Sequence, residues 1–411
     1  MSRQGPADAP GGDELAERIA IGLLTWTFPA ELVDRVLART GRTEQRTRLL
    51  PARVVVYFVM ALCLFPGLKY ERVAELLSQG LVWRLGGTTD CPVPTAAALS
   101  RARARLGPEP LCELFAARAA MTVPGPGYRG LRVLSVDRAW FDVADSEENL
   151  AHFAPPPADA ACAAAPGARG REPGTPRVQV VALADDAGRT IVDARIGAAA
   201  DRVVVLARPL LRGTRRGDLV LAGFATAGAR SWCTARHHGA ELLWCVPADA
   251  EFPRHAVLSD GSYRSVLDEA GDCDSEDGTL AAPVRVLERT VDGRRLRLVT
   301  SLLDPAEAPA DELAALFASR WRFAGALAEM TAGRSGDTGP ALRARTVRGV
   351  EQEVWGHLLV HQALAALLRP ETVLRETVRA AEPSALPARV VRVLRGRSGP
   401  SGPDRPARRV G

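Results

Sequence analysis

A short apolar segment that ends in a carboxylate decides the fold: Leu131-Arg132-Val133-Leu134-Ser135-Val136-Asp137. Its aliphatic and β-branched residues predict a buried β-strand over residues 131–136, with Asp137 directly after it. A carboxylate in that position can hold a divalent metal ion, because such ions prefer hard oxygen ligands. Aspartates also occur at strand ends for purely structural reasons, so both interpretations of Asp137 stay open at this point.

The segments downstream of Asp137 alternate between strand-like and helical patterns. Strands are predicted at 178–183, 190–196, 219–222 and 242–246, and helices at 203–211 and 227–237. Residues 247–305 form a strand-rich insertion, in which 284–287 and 296–302 are the clearest strands. Helices return at 310–332, about 344–368 and 371–382. This order predicts an α/β domain that is interrupted by a β insertion.

The segments upstream of the decisive strand carry helical patterns, from residue 13 to about residue 120. Residues 54–65 are apolar on all sides, which predicts a buried helix, and amphipathic stripes follow at 70–79, 95–106 and 111–120. The sequence Pro124-Gly125-Pro126-Gly127 then marks a boundary. The predicted organisation is a disordered tail over 1–12, a helical domain over 13–124, the α/β domain over 128–382 with its insertion at about 247–305, and a basic tail over 383–411.

The composition excludes several classes of protein. Of the 411 residues, 47% are hydrophobic and 25% are charged, which excludes wholesale disorder, collagen and coiled coils. The longest apolar run, residues 54–65, is shorter than the ~20 residues that a membrane helix needs, and the first twenty residues contain no signal-peptide pattern. We therefore expect a cytoplasmic protein with no membrane partner. The seven cysteines include no C-x-x-C pair, so no zinc site or disulfide framework is predicted.

Positive charge is concentrated in two segments. Lys69 is the single lysine, so arginine supplies 52 of the 53 basic side chains, a bias typical of a GC-rich bacterial genome. Residues 41–106 and residues 383–411 each carry a net charge of +6, and the rest of the chain carries −7. Two basic segments around an acidic middle favour a polyanionic partner. Solvated basic surfaces without a partner would leave the same pattern.

One pair of histidines has the spacing of a metal site. His357 and His361 stand four residues apart on a predicted helix, a spacing that can hold a metal ion. The glutamate of the H-E-x-x-H zinc motif is absent, because Leu358 follows His357. The surrounding residues 355–368 are apolar, which favours histidines packed in a core. The sequence contains no P-loop, no G-x-G-x-x-G after a strand and no G-x-S-x-G motif.

An ordered series of stretches resembles insertion-sequence transposases of the insertion-element-four type. Leu-Thr-Trp-Thr-Phe-Pro-Ala-Glu-Leu-Val from Leu24 and the stretch 95–111 are similar to the N-terminal domain of that family. Val136-Asp137 together with residues 141–145 resembles its first-acid strand, and Asp260-Gly261-Ser262-Tyr263 resembles its insertion domain. Residues 303–305, 316–321 and 350–359 resemble its C-terminal helices. The resemblance covers roughly residues 20–368.

The resemblance implies an RNase H-like catalytic domain, in which two aspartates and one glutamate bind two Mg²⁺ ions for DNA strand cleavage and transfer. It also implies double-stranded DNA as the partner, and we further expect a homodimer and association with the nucleoid. Helix 95–106 lies in the region that binds DNA in the family. Its Arg101, Arg103 and Arg105 are therefore candidate contacts to phosphates and guanine edges, together with Arg320 of the C-terminal signature.

The chain departs from the family at two of the three acids. Asp137 matches the first acid, but the strand of the second reads Leu-Val-Leu-Ala over 219–222 and continues with Gly223. Counted from the retained Arg320, the helical signature of the third acid has Phe317, Ala324 and Thr331 where the family has tyrosine, glutamate and lysine.

The nearby acids are poor substitutes for the missing ones. Asp218 lies ~16 Å before Gly223 on an extended strand and on its other face. Glu329 is turned by roughly 140° from Ala324 around a helix. Asp185 and Asp186 end a different strand. Asp137 is thus the only retained catalytic and metal-binding candidate, and we expect a DNA-binding transposase relative with impaired catalysis. The alternatives are an active cut-and-paste transposase whose acids lie elsewhere, and a DNA-binding regulator with no nuclease role.

Overall fold

The computed structural model describes residues 12–43, 50–85, 93–122, 127–154, 176–223, 229–267, 282–320 and 342–367. Helices come first along the chain. They are α1 (Gly12–Thr27), α2 (Ala30–Arg39), α3 (Ala52–Leu64), α4 (Tyr70–Leu85), α5 (Ala96–Leu106) and α6 (Glu109–Ala120). The helical periodicity upstream of residue 120 therefore predicts these elements correctly.

The local sequence explains where two of these helices begin and end. α3 follows Pro51 and is almost entirely apolar, so it is buried on nearly all sides. α5 follows Thr95, whose side-chain oxygen accepts a hydrogen bond from the Ala98 amide at 3.3 Å. It ends at Gly107, whose φ of +71° lies in the left-handed region that favours glycine.

The strands of the described chain form a single nine-stranded mixed sheet. They are β1 (Arg132–Asp142), β2 (Arg177–Asp185), β3 (Thr190–Ala198), β4 (Asp218–Gly223), β5 (Glu241–Cys245), β6 (Ala256–Val257), β7 (Tyr263–Leu267), β8 (Ala282–Val291) and β9 (Arg294–Thr300). Their order in the sheet is β3-β2-β1-β4-β5-β9-β8-β7-β6. β1, β2 and β3 are antiparallel neighbours, whereas β4 and β5 run parallel to β1.

The predicted β insertion continues this sheet. β9 pairs antiparallel with β5, and β8, β7 and β6 follow outward. A buried ion pair between Arg285 on β8 and Asp260 in the β6–β7 turn fixes this extension, and the Ala310 amide also donates to Asp260 at 3.0 Å. β6, with two residues, and β7, with five, are not among the strands singled out within the insertion.

Helices cover both faces of the sheet. These helices are α7 (Glu147–Phe153), α8 (Val203–Arg212), α9 (Ala229–His237), α10 (Ala310–Ser319) and α11 (Val347–Leu367). α8 and α9 share a core with Val136, Val220 and Trp244 on one face. On the opposite face, α10 packs against Val133 and Leu221.

The helices that precede the sheet share their core with it. Apolar residues of α1 to α6, of α11 and of β1 to β3 belong to one hydrophobic cluster. α11 is consequently buried along most of its length, from Val350 to Leu367. The boundary predicted near residue 124 thus separates elements that pack on one another. Within the described residues, no helix is both long and apolar enough to cross a membrane.

One predicted boundary is wrong, and one predicted helix is interrupted. β1 does not end at Val136 but continues to Asp142, because its pairing with β2 extends from Leu134 to Asp142. Asp137 therefore lies inside a long strand. α10 ends at Ser319, so the helix predicted over 310–332 is interrupted at Arg320, and residues 321–332 lie outside the described residues. The predicted helix 371–382, the tail 383–411 and residues 1–11 also lie outside the described residues.

Candidate functional site

Asp137 and Gly223 occupy neighbouring parallel strands. The pairing of β1 with β4 runs from Arg132 opposite Asp218 to Ser135 opposite Leu221. The same register, carried two residues further, places Asp137 level with Gly223. Neighbouring strands are about 5 Å apart, and residues at one level of a parallel pair project to the same face. A side chain at position 223 would therefore face the Asp137 carboxylate directly.

This pair lies on the face of the sheet that α10 covers. Val133, Leu219 and Leu221 contact the α10 cluster, and the strict alternation of strands puts Asp137 and Gly223 on the same face. Phe317, at the position of the family's tyrosine, is buried in that cluster. Gly223 is also the last residue of β4, so the pair lies at the carboxyl end of the parallel strands. Ligands of open α/β sheets commonly bind at this edge.

The neighbouring aspartates are held elsewhere. Asp185 pairs with Leu134, which places it on the opposite face from Asp137, and it accepts from Arg132 at 2.7 Å. Asp218 starts β4 and accepts from the Arg215 amide at 2.9 Å. Asp186 accepts from the Ser135 hydroxyl at 3.1 Å, and its amide donates to the carbonyl of Val133.

Asp185, Asp186 and Asp218 have structural contacts at the edge of the sheet where the parallel strands β1 and β4 begin. Asp186 follows β2, and its carboxylate is hydrogen-bonded to Ser135, which lies two residues before Asp137 on the same face, about 7 Å along the strand. Burial raises the pKa of Asp218, although its hydrogen bond to Arg215 and the charge of Arg132 oppose that shift. No other carboxylate of the described β1, β2 or β4 lies beside Asp137.

The donor set around Asp137 does not fit two Mg²⁺ ions. Two such ions need several carboxylate oxygens, with metal to oxygen distances of ~2.1 Å. The described residues contain no group of three or more histidine, cysteine, aspartate or glutamate side chains placed to hold a metal ion. Cys245 follows Gly223 in register on β5, but a thiol is a soft ligand that Mg²⁺ does not favour. Ala324 and Glu329 lie outside the described residues.

The three arginines predicted on α5 separate into two groups. Arg101 and Arg105 are exposed, and neither has a hydrogen bond or ion pair within the described chain. Arg103 is only 7% exposed. Burial makes Arg103 unsuited to the predicted contact with DNA, because position 103 lies beside the apolar stripe that packs α5 into the core.

Arg103 instead ties α5 to α11. Its guanidinium pairs with Glu353 at 3.0 Å and donates to the Gln352 side chain at 2.9 Å and to the Tyr70 hydroxyl. Burial alone would lower the pKa of Arg103, but the charge of Glu353 raises it above its ordinary value. The second oxygen of Glu353 accepts from the Arg343 amide at 2.7 Å. Arg103 is thus a structural residue.

Arg320 and the two histidines also have defined places. Arg320 follows the last residue of α10, where its guanidinium stacks over the Phe317 ring at 3.8 Å and donates to the Phe317 carbonyl. His357 and His361 are buried in α11, as the apolar surroundings favour. Burial lowers the pKa of His361 to about 4. The described chain gives these histidines no partner set for a metal.

A basic surface that the sequence did not reveal lies at the end of α5. It consists of Arg42 from the α2–α3 connection and of Arg345 and Arg348 before and within the first turn of α11. Arg42 and Arg348 both contact Glu109, at 3.4 Å and 2.6 Å. These residues are far apart in the sequence, so no local charge run marks the surface they form together.

Comparisons with known proteins agree with the motifs. A family model described as the insertion element 4 transposase N-terminal region matches residues 18–116. Over 343 residues the chain is 27% identical to the transposase InsG for insertion sequence element IS4 of Escherichia coli (strain K12), a match that covers 80% of this chain and 73% of that protein. The resemblance predicted from the motifs is confirmed.

A solved transposase structure aligns with the chain at a low level of similarity. It is the cryo-EM structure of the piggyBac transposase synaptic complex with hairpin DNA. The alignment covers 97% of this chain and 85% of that chain, with 10% sequence identity and a TM-score of 0.42.

Proposed function

We propose that this chain, a relative of the insertion-element-four transposases, is a DNA-binding protein of DNA transposition whose strand-cleavage chemistry is impaired. The observation that carries the proposal is the β1–β4 register, which is paired as far as Ser135 opposite Leu221 and, extended by two residues, sets Gly223 level with Asp137. The position that faces the retained acid has no side chain. One carboxylate cannot organise the two metal ions that phosphodiester cleavage of this kind uses.

An RNase H-like organisation of the sheet is part of the proposal. Its support is the arrangement of β1 to β5, in which three antiparallel strands are followed by two parallel strands beside β1. The α10 helix, which leads toward Ala324, packs on the face that carries Asp137. Residues 13–124 are proposed as the DNA-binding region and residues 128–382 as the transposase region with its insertion.

The DNA-binding part of the proposal rests on α5. Arg101 and Arg105 are exposed, positively charged and without partners in the described chain, which suits contacts to backbone phosphates. α5 also lies within the matched N-terminal region, residues 18–116. Arg320 is a weaker candidate, since its guanidinium stacks on Phe317. A homodimer and a nucleoid location remain expectations from the family.

The first prediction tests DNA binding by the full chain. Duplex DNA should bind in a salt-dependent manner, because arginines that contact phosphates release counterions. Replacing Arg101 and Arg105 together by glutamine should weaken binding and reduce the slope of log K against log salt by about 2. Fluorescence anisotropy over a range of salt concentrations measures both quantities.

A matched control for this variant is the pair Arg264→Gln and Arg294→Gln, two exposed arginines of β7 and β9. It removes the same charge from strands of the insertion. Equal losses in the two double variants would mean that net charge, and not α5, governs binding. No duplex binding by the wild-type chain at low salt would overturn the proposed function itself.

The alternatives predict different results. A regulator without a nuclease role would bind DNA without needing Asp137 and would never cleave it. An active transposase whose acids lie elsewhere would cleave DNA in a metal-dependent way. Metal-dependent cleavage therefore separates the active transposase from the other two possibilities.

A further inference from the structure

A cleft lies beside the exposed arginines of α5. Its volume is about 540 Å³, and it separates α5 from the first turn of α11. Ser100 and Ala104 of α5 line one side of the cleft, and Arg345 and Arg348 line the other. All four residues are exposed. A nucleic-acid strand bound across the exposed face of α5 would therefore lie beside this cleft.

The charged groups that line the cleft are four arginines and one glutamate. The Arg345 guanidinium has no carboxylate partner in the described chain, and its single hydrogen bond is a long one of 3.4 Å to the Asp145 carbonyl. On the floor, Arg343 donates to the carbonyls of Leu68 and Leu62. The acid that lines the cleft, Glu148, accepts from the Val347 amide at 2.8 Å and so caps α11.

Glu109 bridges Arg348, which lines the cleft, and Arg42 of the α2–α3 connection. One carboxylate oxygen contacts Arg348 at 2.6 Å and the other contacts Arg42 at 3.4 Å. The three side chains are between 37% and 58% exposed, so neither pair is buried. Partial burial would raise the pKa of Glu109, but its hydrogen bonds and the charges of Arg348 and Arg42 lower it, which keeps the carboxylate ionised at neutral pH.

The backbone at the end of α5 leaves room for this bridge. A Cβ atom at Gly107 would lie 2.7 Å from the Arg348 guanidinium and would collide with the Glu109 carboxylate. The φ of +71° independently favours glycine here. Gly107 thus allows the bridge to lie directly on the C-terminal end of α5, next to Arg105.

We infer that Arg42, Arg345 and Arg348 form a second contact surface for the DNA backbone, and that Glu109 occupies two of these arginines until a phosphate replaces it. The inference rests on the proposed function, because it assumes that α5 binds duplex DNA. Exposed ion pairs contribute only about 0–1 kcal/mol, so the exchange costs little. A phosphate offers Arg42 and Arg348 the same bidentate geometry as a carboxylate, and its binding releases counterions.

Replacing Glu109 by glutamine should tighten binding of the full chain to duplex DNA. The substitution frees two arginines and removes a negative charge from the path of the phosphates. We expect about fivefold tighter binding at 0.1 M salt, with a steeper slope of log K against log salt. Glu288→Gln is the matched control, because Glu288 likewise bridges two arginines, Arg295 and Arg297, on the β8–β9 hairpin.

Replacing Arg345 and Arg348 together by glutamine should have the opposite effect. We expect weaker binding and a slope that is shallower by about 2, one unit for each lost phosphate contact. The Arg264→Gln and Arg294→Gln pair is the control for the change of net charge. Circular dichroism of each variant checks that the fold is retained.

The outcomes separate the inference from the proposed function. Duplex binding by the wild type that Glu109→Gln tightens and the Arg345 and Arg348 variant weakens, each beyond its control, supports the inference. Wild-type binding that both variants leave at the level of their controls overturns the inference and leaves the proposed function standing. Absence of wild-type binding at low salt overturns both.

Discussion

At the scale of single residues, burial decides which polar side chains are available to a ligand. His361 is 6% exposed inside α11, and burial lowers its pKa to about 4. Arg103 is equally inaccessible, although it lies between two exposed arginines on the same helix. Neither residue is placed to contact DNA, and both affect the stability of the fold.

The second prediction concerns the pH dependence that His361 creates. An unfolded histidine has a pKa near 6.5 and the folded one is lower, so the stabilisation is complete above pH 6.5 and is lost as the pH falls toward 4. Between pH 7 and pH 5 the free energy of unfolding should fall by about 2 kcal/mol through this residue. Urea unfolding at both pH values measures the change.

The control is His361→Gln, which removes the titrating group and keeps a polar side chain. Its free energy of unfolding should fall less than that of the wild type between the two pH values, whatever its absolute stability. An identical pH dependence in the two proteins would show that His361 does not titrate as burial requires.

The third prediction concerns Arg103. Its replacement by methionine leaves Glu353 buried without its ion-pair partner, which should lower the free energy of unfolding by about 3–5 kcal/mol. Arg101→Gln, on the exposed face of the same helix, should change stability by less than about 0.5 kcal/mol. Chemical denaturation compares the two variants, and equal stabilities would contradict the structural role of Arg103.

At the scale of secondary-structure elements, strand register decides which side chains face each other. β1 and β4 are parallel neighbours, and four paired positions fix their relative shift. Because the side-chain period of a strand is two residues, a shift by one residue would move Gly223 to the opposite face from Asp137. The contacts of Val133 and Leu221 with α10 exclude such a shift.

The fourth prediction tests this register. Gly223→Asp should place a second carboxylate beside Asp137, and two carboxylates on adjacent strands should bind Mn²⁺ about tenfold more tightly than one. Gly223→Asn has the same shape without the charge and serves as the control. Titration calorimetry measures the affinity. Equal affinities in the aspartate and asparagine variants would show that positions 137 and 223 do not face each other.

At the scale of the whole molecule, the order of elements was predictable and their tertiary contacts were not. Hydrophobic periodicity predicts the helices upstream of residue 120 and the strands that follow, because burial imposes a period of two or of 3.6 residues on each element. The ion pair of Arg103 is a contact that such periodicity does not predict. The partner, Glu353, lies 250 residues away in the sequence, and no local pattern reports such a contact.

The candidate site was predictable only in part, for a similar reason. The motif around Asp137 and the absent acid at Gly223 are visible in the sequence, whereas the strand register that brings them level is a tertiary property. The basic surface around Glu109 combines residues 42, 109, 345 and 348, which only the packing of α11 against α5 brings together. Likewise, no feature of the sequence of the insertion indicates that its strands join the main sheet.

The fifth prediction addresses the central claim, that the molecule binds DNA without cutting it. The measurement incubates the purified full chain with duplexes that carry the sequences flanking its own gene, in the presence of Mg²⁺ or Mn²⁺, and resolves nicked and joined strands on denaturing gels. We expect bound DNA with no cleavage or joining above background. Metal-dependent cleavage that Asp137→Ala abolishes would contradict this expectation.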